Sequence, residues 1–260
     1  MFLIWSNKKM NERYGQKPQF LYCHDNSHYP LSVVFFSGLG STIERQHVEE
    51  YRTFCHQNNV SFMALDFTAH AYKYQKNEPQ DFGMNHRLSD ALNVLQNELK
   101  NKPFIMVGFS MGGKLALDVS QQLKNQTKAL IELAPAIELS RYQWYDNLNL
   151  MVQKKLNALG KTNPESKTFE NLCVFAQMLK AVKGHLLLKE PVSYGGNIDI
   201  LHGMVDKHVP YQNSLKFKKN YVPQAQVAIL PGESHHFLQP HSRQVIFNTL
   251  ANTIKMVKGR

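Results

Sequence analysis

Phe104-Ile105-Met106-Val107-Gly108-Phe109-Ser110-Met111-Gly112-Gly113-Lys114-Leu115-Ala116-Leu117 is the stretch that decides the fold. The apolar run before Gly108 reads as a buried strand, and the residues from Lys114 onward continue as a helix. Between them, Gly108-Phe109-Ser110-Met111-Gly112 matches Gly-x-Ser-x-Gly, a strained strand-to-helix turn that exposes a serine hydroxyl above a sheet. With 14 glycines in 260 residues, random order gives on the order of 0.04 such matches, so the pattern is not a product of composition. Glycines two places either side of Ser110 avoid clashes within so tight a turn. The helix that follows starts with free backbone N–H groups, which suit an anion.

The same alternation of strand and helix extends in both directions. Residues 31–36, 60–66, 103–109, 129–133, 198–203 and 226–230 read as strands, and 42–58, 88–100, 112–123 and 242–257 as helices. Leu88, Ala91, Leu92, Leu95 and Leu99 line one helical face. Strands separated by helices imply an α/β protein with a mostly parallel sheet and helices on both faces. From about 136 to 196 the pattern turns helical and rich in Lys and Asn, with breaks at Gly160, Pro164 and Pro191. Residues 1–260 therefore read as one domain carrying a small helical cap insertion at about 136–196. Within it Trp144, Leu148, Leu150 and Phe175 suit either a pocket lining or plain packing.

Composition narrows the class. A hydrophobic fraction of 43% and a charged fraction of 19% are those of a soluble globular chain. No apolar run has the length of a transmembrane segment, and the apolar start Met1–Trp5 is too short for a signal-peptide core, so a cytoplasmic protein is expected. Cys23, Cys55 and Cys173 are too widely spaced for a metal-ligand pattern or a disulfide set, and each is expected to pack as a small apolar residue. No metal and no cofactor is implied. The net charge of +10 favours anionic partners, but the lysines are scattered and no nucleic-acid motif accompanies them. No nucleic-acid partner is expected, and the oligomeric state is left open.

A serine hydroxyl needs a base to take its proton, and the base needs an orienting acid. Behind an elbow of this kind the chain order is serine, acid, histidine. Asp206 follows the strand 198–203, in the loop at the carboxyl edge of the sheet. The base falls in Gly232-Glu233-Ser234-His235-His236-Phe237, after the last strand. A base three residues after a glycine selects His235, and a base just before an aromatic selects His236; His235 is preferred. The remaining histidines, His202 among them, suit solvated or structural roles. For an oxyanion hole the sequence offers the N–H of Met111, after the serine, and that of Leu39 in Ser37-Gly38-Leu39-Gly40-Ser41.

At these residues the chain resembles the α/β-hydrolase superfamily over nearly its whole length, and within it the abhydrolase branch of palmitoyl-protein thioesterase and acyl-glucuronide esterase type. The matching pieces are Phe36-Ser37-Gly38 with Gly40-Ser41, Leu65-Asp66-Phe67, the elbow through Gly113, Leu201-His202-Gly203-Met204-Val205-Asp206 with Val209-Pro210, and Ser234-His235 with Pro240. His185-Leu186-Leu187-Leu188 also fits. Where that branch carries Gly-His-Gly after its second strand, this chain has Ala69-His70-Ala71. The resemblance implies an α/β-hydrolase fold, a Ser110–Asp206–His235 triad, and hydrolysis of a small-molecule acyl ester or thioester. Carbon–carbon bond hydrolases and cofactor-free haloperoxidases use a similar triad, and a ligand-binding relative would keep the fold without the chemistry.

Overall fold

The computed structural model describes residues 8–10, 19–23, 30–38, 46–66, 83–137, 143–163, 173, 176, 188 and 191–259. The strands are β1 (Lys8–Met10), β2 (Gln19–Cys23), β3 (Ser32–Phe36), β4 (Ser61–Asp66), β5 (Phe104–Phe109), β6 (Thr127–Leu133), β7 (Asn197–Gly203) and β8 (Gln226–Leu230). The helices are α1 (Gln46–Gln57), α2 (Met84–Glu98), α3 (Met111–Gln122), α4 (Gln143–Thr162), α5 (Gln212–Tyr221) and α6 (Pro240–Lys258). One eight-stranded sheet results, in the order β1-β2-β4-β3-β5-β6-β7-β8. From β4 to β8 every pairing is parallel. β1 and β2 extend that body as antiparallel strands.

The central strands are continuous apolar runs because both faces are covered. Alternation then divides them between two layers. On one face Val34, Phe36, Met63, Met106, Leu130 and Ile200 pack in a cluster that includes Leu95 of α2, Leu115 of α3 and Phe217 of α5. On the other Val33, Phe35, Ile105, Val107 and Ile131 pack with Tyr51 of α1 and Leu250 and Ile254 of α6. The parallel sheet with helices on both faces agrees with the pattern in the sequence.

The differences have local causes. β1 and β2 were not anticipated, since they pair antiparallel at the sheet edge and leave no strand–helix alternation to read. α5 was also missed: its one fully buried apolar side chain is Phe217, too little for a visible period. α2 begins earlier than expected, at Met84, and α6 starts at Pro240, whose missing N–H suits the first turn. Cys23 and Cys55 are buried as expected, whereas Cys173 is only half-buried; all three are free thiols. Of the insertion expected at 136–196, residues 136–137, α4 with Asn163, positions 173, 176 and 188, and residues 191–196 fall among the described residues. Leu150 on α4 is 54% exposed, and Trp144, Leu148 and Phe175 have side chains outside the described set.

Candidate active site

The site begins with the backbone of Ser110. This non-glycine residue has φ 55 and ψ −116, a conformation that costs on the order of 1–3 kcal/mol and persists only where its surroundings enforce it. Here they do. The Ser110 N–H donates to the Leu133 carbonyl at 2.9 Å, and the Ser110 carbonyl accepts from Gly113 at 3.0 Å and Ala136 at 2.8 Å. The turn closes only because Gly112 lacks a side chain: a Cβ there would collide with the Phe36 carbonyl at the end of β3. Thus α3 is pressed against the β3 end, and its first N–H, that of Met111, sits beside Ser110 with no intrahelical acceptor. Gly38, in the loop after β3, stands over the elbow, where a Cβ would lie 3.3 Å from the Ser110 Cβ. Leu39, the other expected oxyanion donor, lies outside the described residues.

Asp206 and His235 come from the loops after β7 and β8, neighbours in the sheet. They meet Ser110 at the carboxyl edge. Ser110 Oγ lies 3.1 Å from His235 Nε2, and His235 Nδ1 lies 2.6 Å from Asp206 Oδ2. The carboxylate can only accept, so Nδ1 carries its proton and Nε2 is left to accept from the serine hydroxyl. Ser110 and His235 are buried, at 9% and 7% exposure. His236, the alternative base, is exposed, and its ring stands 5.3 Å from that of His235. It is therefore His235 that the fold brings to the serine. Phe109, within the elbow, packs against the His235 ring at a centroid distance of 5.1 Å.

Asp206 is held on all sides. Oδ1 accepts the backbone N–H groups of His208 at 2.7 Å and Val209 at 2.8 Å. Oδ2 accepts from His235 and lies 3.3 Å from His202 Nε2. Burial alone would raise the Asp206 pKa, but the bonds from His202 and His235, with the Val209 N–H, outweigh it and hold the carboxyl well below the usual range. His202 is the partner that sequence reasoning missed. Fully buried on β7, it lies 2.8 Å from the Val209 carbonyl through Nε2 and 2.7 Å from Ser214 Oγ through Nδ1. A carbonyl only accepts, so Nε2–H points toward Val209 and Asp206 while Nδ1 accepts a hydrogen bond from the Ser214 hydroxyl. The signal was its place four residues before Asp206, but nothing in the sequence said that the chain doubles back there.

Two other features border the site. The exposed rings of His208 and His236 lie 5.7 Å apart, and His208 is 5.2 Å from His235. Burial first, then the charges of His235 and His208, push His236 below its ordinary pKa. Beneath the elbow, Glu132 of β6 is fully buried. Among the described residues neither of its carboxyl oxygens has a hydrogen-bond partner, and burial raises its pKa well above the usual range. No three His, Cys, Asp or Glu side chains are grouped to hold a metal ion among the described residues. No helix among them is long and apolar enough to cross a membrane.

This sheet order, with a strained serine at the β5–α3 turn, is the α/β-hydrolase fold. The structure superposes on the alpha/beta hydrolase domain-containing protein 10 from mouse with a TM-score of 0.72 at 21% identity, covering 97% of this chain and 100% of that one. The profile of the serine aminopeptidase S33 family matches residues 30–196, and the chain belongs to that family. The match carries Ser110 and stops before Asp206 and His235, whose placement comes from the fold itself. Over 206 residues the chain is 24% identical to the mitochondrial palmitoyl-protein thioesterase ABHD10 of Rattus norvegicus, spanning 78% of this chain and 68% of that protein. It is 30% identical over 116 residues to the putative esterase/lipase 2 of Mycoplasma pneumoniae, spanning 42% of this chain and 39% of that protein.

Proposed function

We propose that the protein hydrolyses carboxylic esters or acyl thioesters through an acyl-enzyme on Ser110. The observation that carries this reading is the relay from Ser110 Oγ through His235 to the buried Asp206 carboxylate, at 3.1 Å and 2.6 Å. Ser110 Oγ attacks the acyl carbonyl carbon while His235 Nε2 takes the hydroxyl proton. The displaced carbonyl electrons settle on oxygen, where the N–H groups of Met111 and Leu39 receive them. Collapse of this intermediate breaks the bond to the alcohol or thiol, which leaves with the proton from Nε2. Water then repeats the sequence: Nε2 takes its proton, the hydroxide adds to the acyl carbon, and Ser110 departs reprotonated as the carboxylic acid is released. Asp206 fixes the His235 tautomer and balances the imidazolium charge.

The thioesterase and esterase names of the relatives support an acyl substrate over other chemistries of the same triad. In this reading the segment 136–196 forms a cap over the acyl group. It begins shortly after β6 ends at Leu133, at Ala136, whose N–H holds the Ser110 carbonyl, so it starts at the nucleophile. Leu150 and Met151 of α4, at 54% and 56% exposure, offer apolar surface for such a role. A panel of nitrophenyl esters and acyl-coenzyme A thioesters graded by chain length tests the reading. Turnover is expected to peak at one length range and to fall by about 10⁴-fold or more in Ser110→Ala. No turnover at any length, or turnover that survives the substitution, would contradict it.

A further inference from the structure

Glu233 stands two residues before His235 and is buried, at 1% exposure, in a loop whose neighbours Gly232 and His236 are exposed. Each of its oxygens accepts a backbone N–H. Oε1 takes that of Ser234 at 2.7 Å, Oε2 that of Gln239 at 3.1 Å, and the main-chain carbonyl that of Val205 at 3.0 Å. Ser234 immediately precedes His235, and Val205 immediately precedes Asp206. Gln239 is the N-cap of α6, where unpaired N–H groups and the helix dipole favour a negative charge. One carboxylate therefore pins both ends of the span 234–239, with His235 inside it and a turn at Phe237, φ 51. Gly203 makes room for this arrangement, because a Cβ there would collide with the Glu233 carbonyl. Burial works to raise the Glu233 pKa, but the hydrogen bonds it accepts prevail and leave it lowered, so the clamp is ionised at neutral pH.

We propose that Glu233 is a positioning residue whose carboxylate sets His235 against Asp206 by holding the backbone N–H of Ser234, just before His235, and that of Gln239 at the far end of the same loop. The proposal rests on the relay described under Proposed function. A carboxylate suits the task because two N–H groups approach it from opposite ends, and both oxygens must accept. Glutamine would turn its amide NH2, a donor, toward one of those N–H groups, and aspartate is one methylene short. A shift of about 1 Å in a catalytic group costs on the order of 10²-fold in rate, so a clamp two residues away is close enough to govern turnover.

The test compares wild type, Glu233→Gln and Glu233→Asp, each held well below its own melting temperature. It reads kcat and KM on a nitrophenyl ester from acid to alkaline pH, and the rate of labelling by a fluorophosphonate. In Glu233→Gln, kcat and the labelling rate are expected to fall together by about 10²-fold. KM should stay within about threefold, and the acid limb of the kcat/KM profile should move. Glu233→Asp should recover part of the loss. A folded Glu233→Gln with wild-type kcat and an unmoved acid limb would overturn the proposal; if that variant does not fold, the same result in Glu233→Asp would do so. Labelled wild type with an unaffected variant removes only this inference. Wild type that is neither labelled nor active removes the relay reading and this inference with it.

Discussion

Glu132 and Asp206 are both buried carboxyls near the elbow, and their surroundings drive them in opposite directions. Asp206 accepts from two backbone N–H groups and from His235, with His202 beside it, so its charge is compensated. Its depressed pKa contributes stability that is present above the unfolded carboxylate value and lost as pH falls through the folded one. Glu132 has no such hydrogen-bond partners among the described residues. Its folded pKa is raised, so the native state binds more protons than the unfolded chain above the ordinary carboxylate range. Stability must then fall as pH rises through that window. Glu132→Gln, which carries no charge to bury, is expected to be more stable than wild type at pH 8 by ~1–3 kcal/mol. The gain should shrink toward pH 4, as read from denaturant midpoints at each pH. An equal effect at both pH values would show that Glu132 is compensated in the folded protein.

At the scale of elements, the site depends on how closely backbones approach. α3 can start at Ser110 only if Gly112 passes the end of β3, and the β8 loop can reach the β7 loop only past Gly203. A methyl group at Gly112 meets a strand carbonyl of the central sheet, which has no freedom to move aside. Gly112→Ala is therefore expected to cost ~1–3 kcal/mol of stability and to reduce turnover by more than the fraction unfolded accounts for. Thermal melts read alongside kcat separate the two effects. Normal turnover in a normally stable Gly112→Ala would mean that the elbow is looser than this geometry requires.

Across the whole molecule, what the sequence revealed follows from the range over which each feature is written. The elbow is local, a strand, a glycine-flanked serine and a helix in consecutive residues, and it was legible. The parallel sheet was legible because its strands are continuous apolar runs separated by amphipathic helices. The order Ser110, Asp206, His235 was legible because each follows the end of a strand, and strand ends gather at one edge. Which of His235 and His236 stands beside Ser110 depends on the path of one loop, which the folded chain supplies. The contacts of His202 with Asp206 and of Glu233 with Val205 were not legible, since they depend on two loops meeting in space. β1, β2 and α5 escaped because a short antiparallel pair and a helix with one buried anchor leave little periodic trace. The net charge of +10 selects no partner, as its lysines follow no single face in the sequence.

The account stands on Ser110 being a nucleophile activated by His235. The most direct measurement is intact-protein and peptide mass spectrometry after exposure to a fluorophosphonate. One phosphonyl adduct on the peptide containing Ser110 is expected in wild type, with none in Ser110→Ala and labelling at least about 10²-fold slower in His235→Ala. No adduct in the folded wild type, or an adduct that persists in Ser110→Ala, would contradict the account.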